Sequence, residues 1–440
     1  MKRVVMAAIL AVCAAGSAGS EDVLELTLED CVRIGLDRSV RMANARRDEQ
    51  IAGSRIRQVR AQVLPELKVR GSYTRLDEVE SFDMGQGPIE LGKLDNYAAS
   101  AEASQLLYSG GSVRAALKAA ELYRERSRLG TQRAEQELQR DIEVGFYGVL
   151  LAESHVEVQR ESRDQLRAMV EQAEAKFRNE TVSEFELLSA RVRLANQEPA
   201  LIRAQRDLEV ARESFRNLLH LEEHQFRLRG ELRFVPVAVD YEAWRAEGLK
   251  RRPELHEQER LVGLWQQDIR AERGKYLPTL RARATYSGAN PSSFFSGESG
   301  WDWGWDAGLT LEWDLLDGGL RRGRVLEKKL ELEKARDNLR DLERAVELEI
   351  RAAYLDLKHA AEAVAATANN VELAEKSMRI ARTRYDVGLA TYLEYTDANL
   401  ALSDARLNWS GALRAHLAAL AQLRCACGLS ADEEPGDESR

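Results

Sequence analysis

The stretch that decides the fold occurs twice in this chain. The first copy reads KFR at 176–178 and, after a short polar turn, SEFELLSA at 183–190. The second copy reads RYD at 384–386 and, after a turn, TYLEYTDA at 391–398. The offset between the copies is 208 residues (385 − 177). Both copies are predicted to be turns between two helices; in the second, Gly388 permits a left-handed conformation and Thr391 can cap the helix that follows.

Two further landmarks recur in the same order. Gly110-Gly111 returns as Gly318-Gly319, again offset by 208 (318 − 110), and Leu64-Pro65 returns as Leu277-Pro278, offset by 213 (278 − 65). A repeat of this length is far longer than the 20–50-residue unit of a solenoid. We therefore predict a tandem duplication of one large unit, with the two halves related by pseudo-symmetry.

Composition narrows the class of protein. The chain has 440 residues, of which 31% are charged, and a mean hydropathy of -0.44. No run of 18 or more apolar residues follows the N-terminus, so no membrane-spanning helix is predicted. The net charge of -9 argues against nucleic acid as a partner.

The N-terminus has the pattern of an export signal. Lys2-Arg3 precedes the apolar residues 4–12, and small residues follow at 16–18. We assign 1–19 as a signal peptide, so the chain leaves the cytoplasm. A lipoprotein cleavage site at Cys13 is the alternative, although Val12 is bulky where a small residue is expected.

Three cysteines remain after residue 19. In an oxidising compartment, a disulfide from Cys31 to Cys425 or Cys427 is one expectation. Cys425 and Cys427 as a soft-metal pair is a second. The third expectation is that the cysteines are simply small buried residues of helices and that one disulfide forms incidentally.

Hydrophobic periodicity assigns the elements of the two repeats. The first repeat, 20–230, is predicted to contain a helix at 27–62, strands at 66–76 and 96–108 around a loop at 77–95, and a helical hairpin at 112–219. The second repeat, 231–428, is predicted to contain a helix at 241–275, strands at 279–288 and 303–315, and a helical hairpin at 319–427. The acidic residues 429–440 are predicted to be a disordered tail. Apolar residues along 319–386 are spaced by threes and fours, which predicts left-handed coiling against neighbouring helices.

The strands alternate apolar and polar residues. Each has about ten residues, enough to cross a bilayer when tilted. A set of aromatic residues is placed to form a girdle at the membrane interface: Tyr73, Trp301, Trp303, Trp305 and Trp313. The polar faces fit a water-filled lumen, and equally a half-exposed sheet of a soluble protein. Four strands cannot close a membrane barrel alone, so several chains would share one, and three chains give twelve strands.

Four motifs carry a specific resemblance: RPEL at 252–255, YLPTL at 276–280, LLDGG at 315–319 and RYDVGLATYLEY at 384–395. In order, duplicated and behind a signal peptide, they make the chain similar to TolC-type outer membrane efflux channels. The resemblance implies a mostly α-helical protein with transmembrane β-strands, in which a trimeric 12-stranded β-barrel joins a long periplasmic α-helical coiled-coil barrel.

The resemblance also implies a function and partners. The channel would be a homotrimer in the outer membrane of a Gram-negative bacterium, in contact with outer membrane lipid, with its helices in the periplasm. It would be the exit duct of a tripartite efflux or type I secretion system, bound to a periplasmic adaptor protein and an inner membrane pump of the RND or ABC type. No enzymatic activity, cofactor or metal is implied.

The same resemblance suggests roles for residues at the hairpin turns. It implies a pore gate of Glu186, Tyr385, Glu394 and Asp397, although solvated helix charges are the simpler interpretation of the acidic residues. It implies that the adaptor contacts both turns: Thr181, Ser183, Gly388, Leu389 and Thr391. Two departures from the family pattern bear on this site. Ala390 replaces a family arginine, which implies a looser closed state, and Glu180 stands where the second turn has Gly388, which implies a differently shaped first turn.

Two other classes of protein compete with the channel. A soluble periplasmic coiled-coil adaptor or scaffold would explain the helices but not the aromatic strands. A metalloprotease would rest on His220 and His224 in an H-x-x-E-H pattern, which lacks an evident third ligand.

Overall fold

The computed structural model describes residues 24–79, 81–83, 88–90, 93–221, 225–237, 240–291 and 300–430. The assigned signal peptide, Cys13, His224 and residues 431–440 of the acidic tail lie outside these ranges. The chain divides into two compact units. The hairpin unit contains the residues up to Ala43, Glu135–Gly248 and those from Glu349 onward, and the sheet unit contains Asn44–Ala134 and Leu249–Leu348.

In the first half of the chain, the described residues form β1 (Leu24–Leu26), α1 (Leu28–Arg38), α2 (Val40–Ala61), β2 (Glu66–Arg75), β3 (Ser81–Asp83), β4 (Pro88–Glu90), β5 (Asp95–Tyr108), α3 (Ser112–Arg178) and α4 (Glu184–Leu218). In the second half, they form β6 (Phe226–Leu228), α5 (Tyr241–Arg251), α6 (Pro253–Gly274), β7 (Thr279–Asn290), β8 (Asp302–Glu312), α7 (Leu320–Asp386) and α8 (Tyr392–Ala426).

The helices repeat with identical lengths. The pair α3 and α7 have 67 residues each, and the pair α4 and α8 have 35 each. Likewise α1 and α5 have 11 residues, and α2 and α6 have 22. The offset is 213 between the starts of α2 and α6 (253 − 40) but 208 between those of α3 and α7 (320 − 112). This confirms the duplicated helix–strand–strand–helix unit, and it confines the five-residue difference to the segments that carry the strands.

The prediction of single helices at 27–62 and 241–275 is wrong, because each segment contains two helices. The break falls at Ser39, with φ −61 and ψ 127, and at Arg252, with φ −65 and ψ 120. In the second repeat, Pro253 explains the break, since the residue before a proline avoids the helical conformation. Ser39 adopts the same geometry before Val40, where no proline imposes it.

One antiparallel sheet in the sheet unit joins the two repeats. The strand order is β2-β5-β7-β8, so the repeats meet where β5 pairs with β7. The register aligns Val69, Ala101, Tyr286 and Trp305 across the four strands, and the next row aligns Lys68, Glu102, Thr285 and Asp306. Because side chains alternate between faces, one face is apolar and the other polar. We call the first the apolar sheet face.

Other details of the strands differ from the sequence expectations. The segment 77–95, expected to be a loop, contains the short pair β3 and β4. The strand expected at 303–315 ends at Glu312, and beyond it the Trp313 indole donates to the carbonyl of Tyr276 at 3.0 Å. A parallel pair in the hairpin unit, β1 with β6, has no counterpart in the sequence assignment. Three-residue strands are too short to produce an alternation signal.

The expected disulfide is absent. Cys31, Cys425 and Cys427 are thiols in the described chain, and Cys31 is fully buried. The Cys427 thiol instead donates to the backbone carbonyl of Trp244 at 3.4 Å. Within the described ranges, no three His, Cys, Asp or Glu side chains group closely enough to hold a metal ion.

None of the helices in the described ranges carries an apolar stretch long enough to cross a membrane.

Candidate functional site at the hairpin turns

The two hairpin turns of the hairpin unit have the same backbone geometry. The amide of Thr181 donates to the carbonyl of Lys176 at 3.0 Å, and that of Leu389 donates to Arg384 at 2.8 Å. Glu180 has φ 59 where Gly388 has φ 78. The expectation of a differently shaped first turn is therefore wrong. The hydrogen bonds that close the turn hold Glu180 in the left-handed conformation, which costs a residue with a side chain about 1–2 kcal/mol.

The helix that follows each turn begins with a capping hydroxyl. Ser183 accepts from the amide of Glu186 at 3.3 Å, and Thr391 accepts from that of Glu394 at 3.2 Å. In the second repeat the Glu394 carboxylate returns to accept from the Thr391 amide at 2.9 Å, which completes a capping box. Glu186 occupies the equivalent position (394 − 186 = 208) but its carboxylate goes elsewhere.

That carboxylate meets Tyr385. The Tyr385 hydroxyl, at the end of α7, donates to Oε1 of Glu186, at the start of α4, over 3.3 Å. Lys176 holds the same tyrosine from α3: its Nζ lies 4.0 Å from the ring centroid and donates to the Tyr385 carbonyl at 3.3 Å. The structure thus brings together two of the four expected gate residues, and it adds Lys176, which the sequence did not indicate.

Tyr385 belongs to a buried apolar group that joins both hairpins, which we call the tip cluster. Its members are mostly alanines, larger aliphatic residues and three tyrosines: Leu166, Met169, Val170, Ala173, Leu187, Ala190, Ala374, Met378, Tyr385, Tyr392, Tyr395, Ala398, Leu402 and Ala405. Tyr385 is only 3% exposed, and its ring lies 5.5 Å from that of Tyr395. The small alanine side chains allow the helices to approach closely. The three tyrosines are buried between these helices and are shielded from solvent.

Burial keeps these tyrosines neutral. It raises the pKa of Tyr385, and the Glu186 carboxylate raises it further. Burial also raises the pKa of Tyr392 to about 12, even though the Arg193 guanidinium acts in the opposite direction. Tyr385 is therefore a permanent donor to Glu186 at physiological pH. The Tyr392 hydroxyl is buried without a hydrogen-bond partner among the described residues.

The other two expected gate residues lie apart from this contact. Glu394 is exposed and engaged in its own capping box. Asp397 is exposed, and its Oδ1 lies 3.7 Å from Nη2 of Arg193. Ala390 packs against the tip cluster. Its side chain provides no charge at this position.

Both turns present apolar side chains to solvent. Leu389, expected to contact an adaptor, is 71% exposed. Sequence reasoning missed Phe185, which is 79% exposed, and the exposed Val387 and Leu393. The signal that could have found them is a large apolar residue within three positions of a turn, where polar residues are usual.

The expected aromatic girdle lies in and beside the four-stranded sheet. All five of its residues are exposed, and Trp305 is 80% exposed. The Trp303 ring stacks between those of Trp301 and Tyr286, with centroid distances of 5.3 and 5.2 Å. The Tyr73 hydroxyl donates to Asp95 at 2.8 Å. The apolar sheet face is thus a continuous exposed surface of aliphatic and aromatic side chains.

Comparison with known proteins gives a consistent result. The profile of the outer membrane efflux protein family matches residues 34–219 and 244–429, one match in each repeat. A search of curated protein sequences finds no significant match.

Several solved structures share the fold. The CmeC outer membrane channel of Campylobacter jejuni is 15% identical, with a TM-score of 0.76 over 93% of this chain and 87% of that one. The MtrE outer membrane channel of Neisseria gonorrhoeae, solved in an open state, is 17% identical, with a TM-score of 0.73 over 94% of each chain. VceC, an outer membrane protein of Vibrio cholerae, is 18% identical, with a TM-score of 0.73 over 92% of this chain and 96% of that one. Because the family profile covers most of the chain, this protein belongs to the outer membrane efflux protein family, which makes it an outer membrane channel of a tripartite efflux system and not an enzyme.

Proposed function

We propose that the hairpin turns of this channel form its periplasmic gate, and that the hydrogen bond from Tyr385 to Glu186 holds the gate shut. The observation that supports the proposal is that the two repeats use the glutamate at the start of their last helix differently. The N-terminal glutamate of α8 serves its own helix, whereas that of α4 reaches across to the end of α7. A helix start that gives up its capping contact to bind another hairpin is suited to a latch.

The latch can be tested in planar bilayers. Tyr385→Phe removes this hydrogen bond and Glu186→Gln weakens it; because the bond is worth about 1 kcal/mol in each chain, we expect a higher open probability and conductance. Tyr392→Phe is a matched control, because it removes a neighbouring buried hydroxyl that makes no hydrogen bond within the described ranges. If Tyr385→Phe and Tyr392→Phe conduct alike, the latch assignment is wrong.

We propose that the exposed apolar residues at the turns dock a periplasmic adaptor. Family membership implies, in general, a trimer that works with partners in a tripartite pump. The docking surface would contain the expected turn residues together with Phe185 and Val387, which remain exposed although they are large and apolar. The adaptor would connect the channel to an inner membrane pump of the RND or ABC type.

We further propose that the apolar sheet face contacts outer membrane lipid, with Tyr73 and the four tryptophans at the membrane interface. The edge strands β2 and β8 each pair on one side only within the described sheet. Unpaired strand edges do not persist in lipid. We infer that β2 of one copy pairs with β8 of the next, so that three copies share one twelve-stranded barrel. In this proposal residues 1–19 are the signal peptide that exports each copy, and 20–230 and 231–428 are its two repeats.

A further inference from the structure

One basic side chain of α4 lies beside an acidic side chain of α8. The guanidinium of Arg193 is 3.7 Å from the Asp397 carboxylate, and its charge also acts on the Tyr392 hydroxyl. Tyr392 and Asp397 lie at the start of α8, so Arg193 ties the first turns of α8 to α4.

The same helix makes the latch. Arg193 follows Glu186 by seven residues, which is two helical turns and places both side chains on the same face of α4. Through Glu186 this face holds the end of α7, and through Arg193 it holds the start of α8. Separation of α4 from the second hairpin must therefore break a hydrogen bond from a neutral donor and an ion pair.

We propose that Arg193 is a second gate residue, which ties α8 to α4 while the tips are closed and compensates the charge of Asp397. The inference rests on the proposed function, since it takes the hairpin tips to line the pore. It assigns Arg193 the control of ion selectivity: Asp397 attracts cations into the pore only to the extent that Arg193 does not compensate its charge.

The two contacts differ in their response to salt. Both partners of the Arg193 pair are partly exposed. Mobile ions screen exposed charges over a Debye length of about 8 Å at physiological ionic strength. The bond from Tyr385 involves a neutral donor within the tip cluster, so salt affects it less. A change of the open probability with salt concentration would therefore come from the ion pair of Arg193 with Asp397.

Arg191 provides a matched control on the same helix. Its guanidinium lies 2.7 Å from Glu174 of α3, within the first hairpin, so it does not connect the two hairpins. Arg191→Gln and Arg193→Gln remove the same charge from the same helix, only two residues apart. A difference between these variants therefore reports the contact with Asp397 and not the net charge of the tip.

The test is single-channel recording of the purified full-length channel in KCl gradients at low and high salt. With Arg193→Gln we expect the permeability ratio of K⁺ to Cl⁻ and the open probability to rise by about two- to fivefold, the range expected for a partly exposed pair. Arg191→Gln should leave both quantities near wild type. The charge swap Arg193→Asp with Asp397→Arg should restore the wild-type open probability and its salt dependence.

The outcomes separate this inference from the latch proposal. If Arg193→Gln matches Arg191→Gln, or the charge swap behaves like the sum of its single variants, the role of Arg193 is overturned, whatever Tyr385→Phe does. If Tyr385→Phe has no effect but the Arg193 results hold, the latch fails and the ion pair alone closes the tips. If Arg193→Gln does not assemble, Arg193→Lys keeps the charge, and an altered K⁺ preference in that variant would also contradict the proposal.

Discussion

The two repeats place different residue types at one equivalent turn position, which is filled by Glu180 in the first repeat. Glu180 occupies the left-handed position of the first turn, which the second repeat fills with Gly388. Both turns close with the same hydrogen bonds, so the backbone is fixed and the residue bears the conformational cost. The turn of the first hairpin is therefore less stable than it would be with a glycine at position 180.

Glu180→Gly should relieve this cost. We expect a gain of about 0.5–1 kcal/mol, since glycine adopts positive φ without steric strain but loses more entropy on folding. Gly388→Ala, the reverse change in the second turn, should cost a similar amount. Amide hydrogen exchange at the two turns measures both effects, and a Glu180→Gly variant that exchanges faster than wild type would contradict the strain argument.

Tyr392 offers a residue-scale prediction about pH. Its pKa is raised by burial to about 12, above the value of about 10 for an exposed tyrosine. Above pH 10 the unfolded chain therefore binds fewer protons than the folded one, and stability falls as pH rises. We expect the tip cluster to be fully stable below about pH 10 and to loosen between pH 10 and 12.

Tyrosinate absorbance during alkaline titration gives the measurement, with Tyr392→Phe as the control. The difference between wild type and variant should show a transition displaced toward pH 12. A difference spectrum that titrates near pH 10 would mean that the hydroxyl is solvated.

At the scale of elements, the starts of α4 and α8 share a capping hydroxyl but use their glutamates differently. Glu394 stabilises its own helix start, whereas Glu186 stabilises the contact with α7. Because both lie three residues after the cap, sequence alone assigns them the same role. Which role each has depends on Tyr385, which lies about 200 residues away from Glu186 along the chain.

Alanine at each position should separate the two roles. Glu394→Ala should fray the first turn of α8, at a cost of about 0.5–1 kcal/mol, because it removes half of the capping box. Glu186→Ala should leave the first turn of α4 nearly as protected as in wild type, and should instead release the Tyr385 end of α7. Hydrogen exchange over 184–188, 381–387 and 392–396 distinguishes them, and equal fraying of both helix starts would refute the difference.

At the scale of the whole molecule, the duplication is completed by a sheet that neither repeat forms alone. Each repeat supplies two strands, and β5 pairs with β7 to join them. The register places most apolar residues of the four strands on one face and most charged residues on the other, with the Arg75–Asp95 pair at the end of the apolar face as an exception. This separation is what a protein surface between lipid and water requires.

A lysine on either face tests the proposed lipid contact. Tyr286 lies on the apolar sheet face, in the same row as Trp305, and its neighbour Ser287 lies on the opposite face. Tyr286→Lys should reduce insertion into lipid vesicles, with a cost of up to about 2–4 kcal/mol at the bilayer midplane. Ser287→Lys should insert normally. Heat-modified gel migration gives the inserted fraction, and equal insertion of the two variants would argue against lipid on the apolar sheet face.

Local patterns predicted much of this fold. Alternation identified the four strands of the sheet, and apolar spacing identified the long helices, because both signals come from side chains a few positions apart. The break at Ser39 and the β1–β6 pair were not predicted. No local residue imposes the break, and three-residue strands are too short to show an alternating pattern. The Tyr385–Glu186 contact was expected only through family resemblance, and Arg193 was not expected at all.

By itself, the sequence determined that this protein is a duplicated helix–strand–strand–helix chain with one apolar and one polar face on its strands. Repeated motifs and side-chain periodicity are properties of the chain alone. Only the tertiary structure decided that β5 pairs with β7, that Glu186 leaves its cap for Tyr385, and that Arg193 lies beside Asp397. These contacts join residues that are roughly 200 positions apart, and packing of the tip cluster and the strand register, rather than local propensity, select them.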